Sequence, residues 1–108
     1  MSGVDTVTFV PVPRVWWITN FGGLVTNAVV ARRRRSRGLG LLFAVAAATH
    51  VAEAVHAWRF ARRAGLDADA GRWAVQTLGV GFPSVLALHD LVAERAEAAA
   101  RVSHEGTR

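Results

Sequence analysis

His50, Glu53 and His56 fall at spacings of three within an otherwise apolar stretch. On a helix those steps keep one carboxyl and two imidazoles within about a third of the circumference. In water such a face means little. In hydrocarbon an ionisable side chain costs at least about 2.5 kcal/mol, so each one requires a partner or a task. These residue types suit metal ligation, proton transfer or the holding of a polar headgroup. A structural role competes with all three. Glu53 then bonds to His50, His56, Gln76 or Thr77 and holds two helices together, at about 1 kcal/mol per interhelical bond.

The composition narrows the chemistry. The chain has no Cys, which removes disulfides, thiolate metal sites and cysteine nucleophiles. Glu-x-x-His pairs do occur in carboxylate-bridged di-iron bundles, but those need further carboxylates on other helices. No other acidic residue lies within an apolar segment here, so no self-contained metal site is expected. Nothing supports haem ligation by His50 or His56. No nucleophile motif, phosphate loop or catalytic carboxylate pair is present. No catalytic residue, metal or cofactor is assigned.

Three segments must position the cluster. Residues 15–31 form a first uncharged stretch, weakened by Asn20, Thr26, Asn27 and the Gly22-Gly23 pair. It reads as a span, with an interfacial or cleaved segment as the competing reading. Residues 38–64 form the second helix. Arg62 and Arg63 fall in its last turn, Gly65 takes the left-handed position and Leu66 is the capping hydrophobe. Asp67 reads as the next N-cap, so the connection is about three residues long and the two helices pack antiparallel. The third helix covers residues 68–102, with a kink near Pro83. Glu97 and Arg101 form an i,i+4 pair on it. The fold expected is all-α: a membrane bundle of three spans, the last two a tight hairpin, in one domain of residues 1–108. Residues 1–12 read as an extended tail around Val10-Pro11-Val12-Pro13, and 103–108 as a frayed one.

Pairing the hairpin around Leu66 sets His56 opposite Gln76, Glu53 opposite Gly79 and His50 opposite Phe82. Gln76, Thr77 and Ser84 then complete a polar stripe with the two histidines and Glu53. Gly79 and Gly81 allow a neighbour to approach closely.

All 13 basic residues are Arg, and the net charge is +5. This usage, with many Ala, suggests a GC-rich bacterial gene. Arg32, Arg33, Arg34, Arg35 and Arg37 sit between apolar stretches, which makes them a topology and anionic-lipid determinant in a polybasic loop. Nucleic acid is not an expected partner. Three spans put this loop and the C-terminus on one side of the membrane. The Arg bias then favours an external N-terminus and a cytoplasmic C-terminus. Trp16, Trp17, Trp58 and Trp73 fall together at the external interface. His89 and Asp90 lie at the internal one, and His104 lies in the tail.

The hairpin resembles a known family. The run His50-Val-Ala-Glu53-Ala, then Ala64-Gly65-Leu66, then Trp73-Ala-Val-Gln76-Thr77 with Gly81-Phe82-Pro83-Ser84 and Leu86, is similar to the transmembrane protein 254 family of small multi-pass membrane proteins. The similarity covers about residues 48–88. The basic run and the Val-Pro-Val-Pro entry depart from it. The resemblance implies a membrane hairpin and carries no known chemistry. The expected function is a structural or partner-binding module in the lipid bilayer, within a homo-oligomer or larger complex. The alternative is a membrane enzyme or carrier component that uses His50 and Glu53 for protons or a lipid-like ligand.

Overall fold

The computed structural model describes residues 7–106, which are all helix, turn or extended segment with no strand. Helix α1 spans residues 14–34 in three segments: an α turn Arg14–Trp16, a π segment Trp17–Phe21 and an α segment Gly22–Arg34. Helix α2 is Arg37–Arg63. A 3-10 turn Asp67–Asp69 leads into α3, Ala70–Val80, and α4 is Phe82–Gly106. The expected polybasic loop is much shorter than residues 32–37. Arg32, Arg33 and Arg34 finish α1, and Arg37 begins α2.

Two turns share one construction. After α2, Leu66 N–H bonds to Ala61 O and Gly65 N–H to Arg62 O, with Gly65 at φ +82°. This is a Schellman cap, closed by contact between buried Leu66 and Ala61. After α1, Ser36 N–H bonds to Ala31 O and Arg35 N–H to Arg32 O. Here the left-handed position is filled by Arg35 at φ 48°. Ser36 then caps α2 by accepting from Leu39 N–H at 3.2 Å.

The third expected helix is not one helix. Gly81, at φ 76° and ψ −139°, ends α3, and α4 turns back along it. Ser84 bonds to Gln76 and Thr77, and Leu88 and Leu91 join Trp73, Ala70 and Leu66 in one core. Those pairs would lie far apart on a continuous helix. Pro83 sits in the first turn of α4, where its missing N–H has no partner to lose, so the reversal rests on Gly81 and not on a proline kink. Helix α4 therefore runs beside α2 in the same direction. Its C-terminal end lies at the Leu66 end of the molecule, opposite Arg32, Arg33 and Arg34. The expected sharing of a side by the C-terminus and the basic run does not occur.

The core sits at the Leu66 end: Ala57, Ala61, Leu66, Ala70, Trp73, Leu88 and Leu91. Trp73 is fully buried, so it is a core residue and not part of an interfacial belt; Trp16 and Trp58 are exposed. Residues 7–13 are extended and lie along α3. Trp73 Nε1–H bonds to Thr8 O at 2.8 Å, the Phe9 ring packs tilted against Trp73, and Arg95 reaches Val7 O. This part of the expected tail is therefore docked, while residues 1–6 lie outside the described residues. At the other terminus helix continues to Gly106, and residues 107–108 also lie outside the described residues. Asp67 does not cap α3: its 3-10 turn intervenes. Asp69 stands at the cap position, but its carboxylate accepts from Thr8 and Arg72 instead.

Among the described residues only α2 is long and apolar enough to cross a membrane on these grounds, and almost none of its apolar stretch is buried within the chain. Its 27 residues reach about 40 Å, against a hydrocarbon core of about 30 Å. The 11 residues of α3 reach only about 17 Å.

Candidate functional site

The residues expected on one polar stripe separate into three places. Gln76, Thr77 and Ser84 form the first, and all three are buried. Thr77 Oγ1 donates to Ser84 Oγ at 2.9 Å, and Gln76 Nε2 donates to the same oxygen at 3.1 Å. The same amide accepts from Val12 N–H at 2.9 Å and donates to Val10 O at 3.2 Å. Gln76 thus pairs with the extended segment much as a peptide group of a neighbouring strand would. These side chains hold α3, α4 and residues 7–13 together.

His50 belongs to the second place, where α3 ends inside the molecule. The last carbonyls of a helix have no partner within it. Gly81 N–H takes Thr77 O at 2.7 Å. His50 Nδ1 lies 2.8 Å from Leu78 O, and because a carbonyl only accepts, Nδ1 carries the hydrogen. Asn20 Nδ2 donates to Val80 O at 2.6 Å. Side chains of α1 and α2 therefore cap α3. The fit is close. The Trp17 ring lies against Gly79, where a Cβ would meet it at 2.2 Å, and a Cβ on Gly81 would stand 3.0 Å from His50 Nε2.

Glu53 lines a cleft of about 610 Å³ between α1 and α2, floored by Val80 and Phe82. Thr19, Asn20, Asn27, Thr49 and His50 line the same cleft. The Oε2 atom of Glu53 is buried and, among the described residues, has no hydrogen-bond partner. None of the four partners expected for Glu53 holds that oxygen. Burying such an atom without a partner is costly, most of all at membrane depth.

His56 faces a third place. Its Nε2 lies 3.0 Å from His89 Nε2, and the His89 ring stacks on Phe60 at 4.0 Å. The structure thus sets His56 against α4, not against Gln76. His50 does lie near its expected level, at Leu78 and Gly81. No group of three or more His, Asp or Glu among the described residues is arranged to hold a metal ion. Arg32, Arg33, Arg34, Arg35 and Arg37 are exposed at the far end. Near the docked segment, the Thr8 hydroxyl chiefly holds the Asp69 carboxyl below the usual carboxylate range; burial pushes it upward, and the hydrogen bond and charge of Arg72 add to the lowering.

Asn20 and Asn27 were absent from the expected site. Their signal was available: Asn20, Gly23 and Asn27 repeat at the helical period and mark one polar, small face. Asn27 Nδ2 donates to Leu39 O at 3.1 Å, tying α1 to the start of α2.

An all-helical chain with one exposed, apolar, membrane-length helix and a polar cleft beside it has the architecture of a small membrane protein. A family model described as Transmembrane protein 254 matches residues 1–90, and the chain belongs to that family. The match takes in the N-terminal third as well as the region around residues 48–88. No curated protein and no solved structure matches the chain.

Proposed function

We propose that the chain is a small integral membrane binding module whose site is the Glu53 cleft. The carrying observation is the buried, unpartnered Oε2 of Glu53 in a cleft large enough for a small molecule. The saturated Gln76, Thr77 and Ser84 cluster serves as glue and leaves Glu53 free of that role. Helices α1 and α2 both cross the bilayer in this reading. Helices α3 and α4 enter from the Leu66 side, turn at Gly81 and return. Non-helical backbone at such depth is tolerated where protein buries it, and Gly81 is buried. The reading places both termini on one side of the membrane and Arg32, Arg33, Arg34, Arg35 and Arg37 on the other.

Two substitutions test the site. Glu53→Gln keeps hydrogen bonding and removes the charge, whereas Glu53→Leu removes both. Both variants should accumulate and fold. Mass spectrometry of detergent-purified protein should find a small molecule with the wild type that Glu53→Leu lacks. If Glu53→Leu alone prevents accumulation, Glu53 is glue and the proposal fails.

A further inference from the structure

The geometry points to a lipophilic primary amine as the occupant of the Glu53 cleft: one ammonium group on an apolar body. This rests on the binding-module reading and names its ligand class.

The argument is an account of donors and acceptors along the cleft. Thr19 gives its hydroxyl hydrogen to Val15 O at 2.8 Å, and Thr49 gives its own to Val45 O at 2.8 Å. Asn20 and Asn27 each give an N–H to a backbone carbonyl, and His50 gives Nδ1–H to Leu78 O. Each amide keeps one further N–H. Against those two hydrogens stand two amide oxygens, two hydroxyl oxygens and the Glu53 carboxyl. The capacity left over is mainly for accepting. No arginine lines the cleft, and the one imidazole there, His50, already gives its Nδ1–H to Leu78 O, so the carboxyl has no donor from either. An occupant that satisfies it brings hydrogens and positive charge, and an ammonium group supplies three N–H donors.

Size and lining define the rest of the ligand. About 610 Å³ is far more than a bare ion fills, and the remaining walls include Leu24, Leu42 and Phe82. Phe82 stands edge-on to Trp16, which places an indole beside the site. Glu53 lies ten residues before Arg63, about 15 Å along the helix. An amine entering from the Leu66 side reaches it without crossing the whole bilayer.

The test uses the full chain in phosphatidylcholine nanodiscs, titrated with octylamine and followed by tryptophan fluorescence and thermal melting. Octanol and octyltrimethylammonium, which lack an ammonium N–H, are the comparison probes. Octylamine should give a saturable response and a higher melting temperature. Glu53→Gln should weaken it at least tenfold, and Thr49→Val by a smaller factor, with helicity unchanged in both. Equal saturation by octanol, or an unchanged octylamine response in Glu53→Gln, overturns the amine assignment. If octanol saturates the wild type but not Glu53→Leu, the amine assignment falls and the binding module stands. If no probe saturates folded wild-type protein, both fall.

Discussion

The two halves of α2 keep different company. Its C-terminal half packs on α3 and α4, and Ala57 and Ala61 there are wholly buried. Its N-terminal half meets α1 and, through His50 alone, the end of α3, and Leu41, Leu42 and Val45 stay exposed. Every buried side-chain polar atom described at the packed end has a partner, whereas Glu53, where the halves meet, does not. Small residues explain the contrast. Alanines along one face of α2 let two further helices approach, and Gly79 and Gly81 let Trp17 and His50 close over the end of α3. Toward the Arg turn the chain supplies α1 alone, so a cleft remains.

The contrast predicts unequal costs of mutation. Trp73→Ala should lower unfolding free energy by about 3–5 kcal/mol, because it leaves a cavity in the core and removes the bond to Thr8. Thermal or denaturant unfolding in detergent would measure it. Gly81→Ala comes next, at about 1–3 kcal/mol, since an L side chain is strained at φ 76° and meets His50. Gln76→Leu should cost about 1–3 kcal/mol and release the extended segment, read as faster amide exchange at Val12.

Changes in the open half should be small or favourable. Arg35→Gly relieves a left-handed residue and should add about 1 kcal/mol. A loss of stability there would show that the Arg turn makes contacts beyond its backbone. The smallest effect is acid sensitivity of the docked segment. Asp69 has a lowered folded pKa, so its contribution is complete above the unfolded value of about 3.9 and disappears as pH falls through the folded value. Undocking of residues 7–13 should therefore begin only in strong acid, and Asp69→Asn should remove the pH dependence.

Local features were legible in sequence; long-range direction was not. Arg62, Arg63, Gly65 and Leu66 announce the end of α2, because a Schellman cap depends on residues within one turn. The Glu97 and Arg101 pair, present at 3.9 Å, is equally local. Gly81 and Pro83 announce a break, but a kink and a reversal use the same residues. Only the packing of Leu88 and Leu91 against Trp73 decides between them. That reversal also divided the polar stripe. It carried Ser84 onto Gln76 and Thr77, and His89 onto His56, and left Glu53 facing α1. Asn20 and Asn27 counted against a span when each was read alone, although their shared face points to the partner helix and the cleft.

The central claim is that one set of polar residues is glue and Glu53 is a site. Melting of ligand-free Ser84→Ala and Glu53→Gln in nanodiscs tests it most directly. Ser84→Ala removes the acceptor of two buried bonds and should cost about 1–3 kcal/mol. Glu53→Gln should melt with the wild type or slightly above it. Equal destabilisation by the two substitutions would contradict the account.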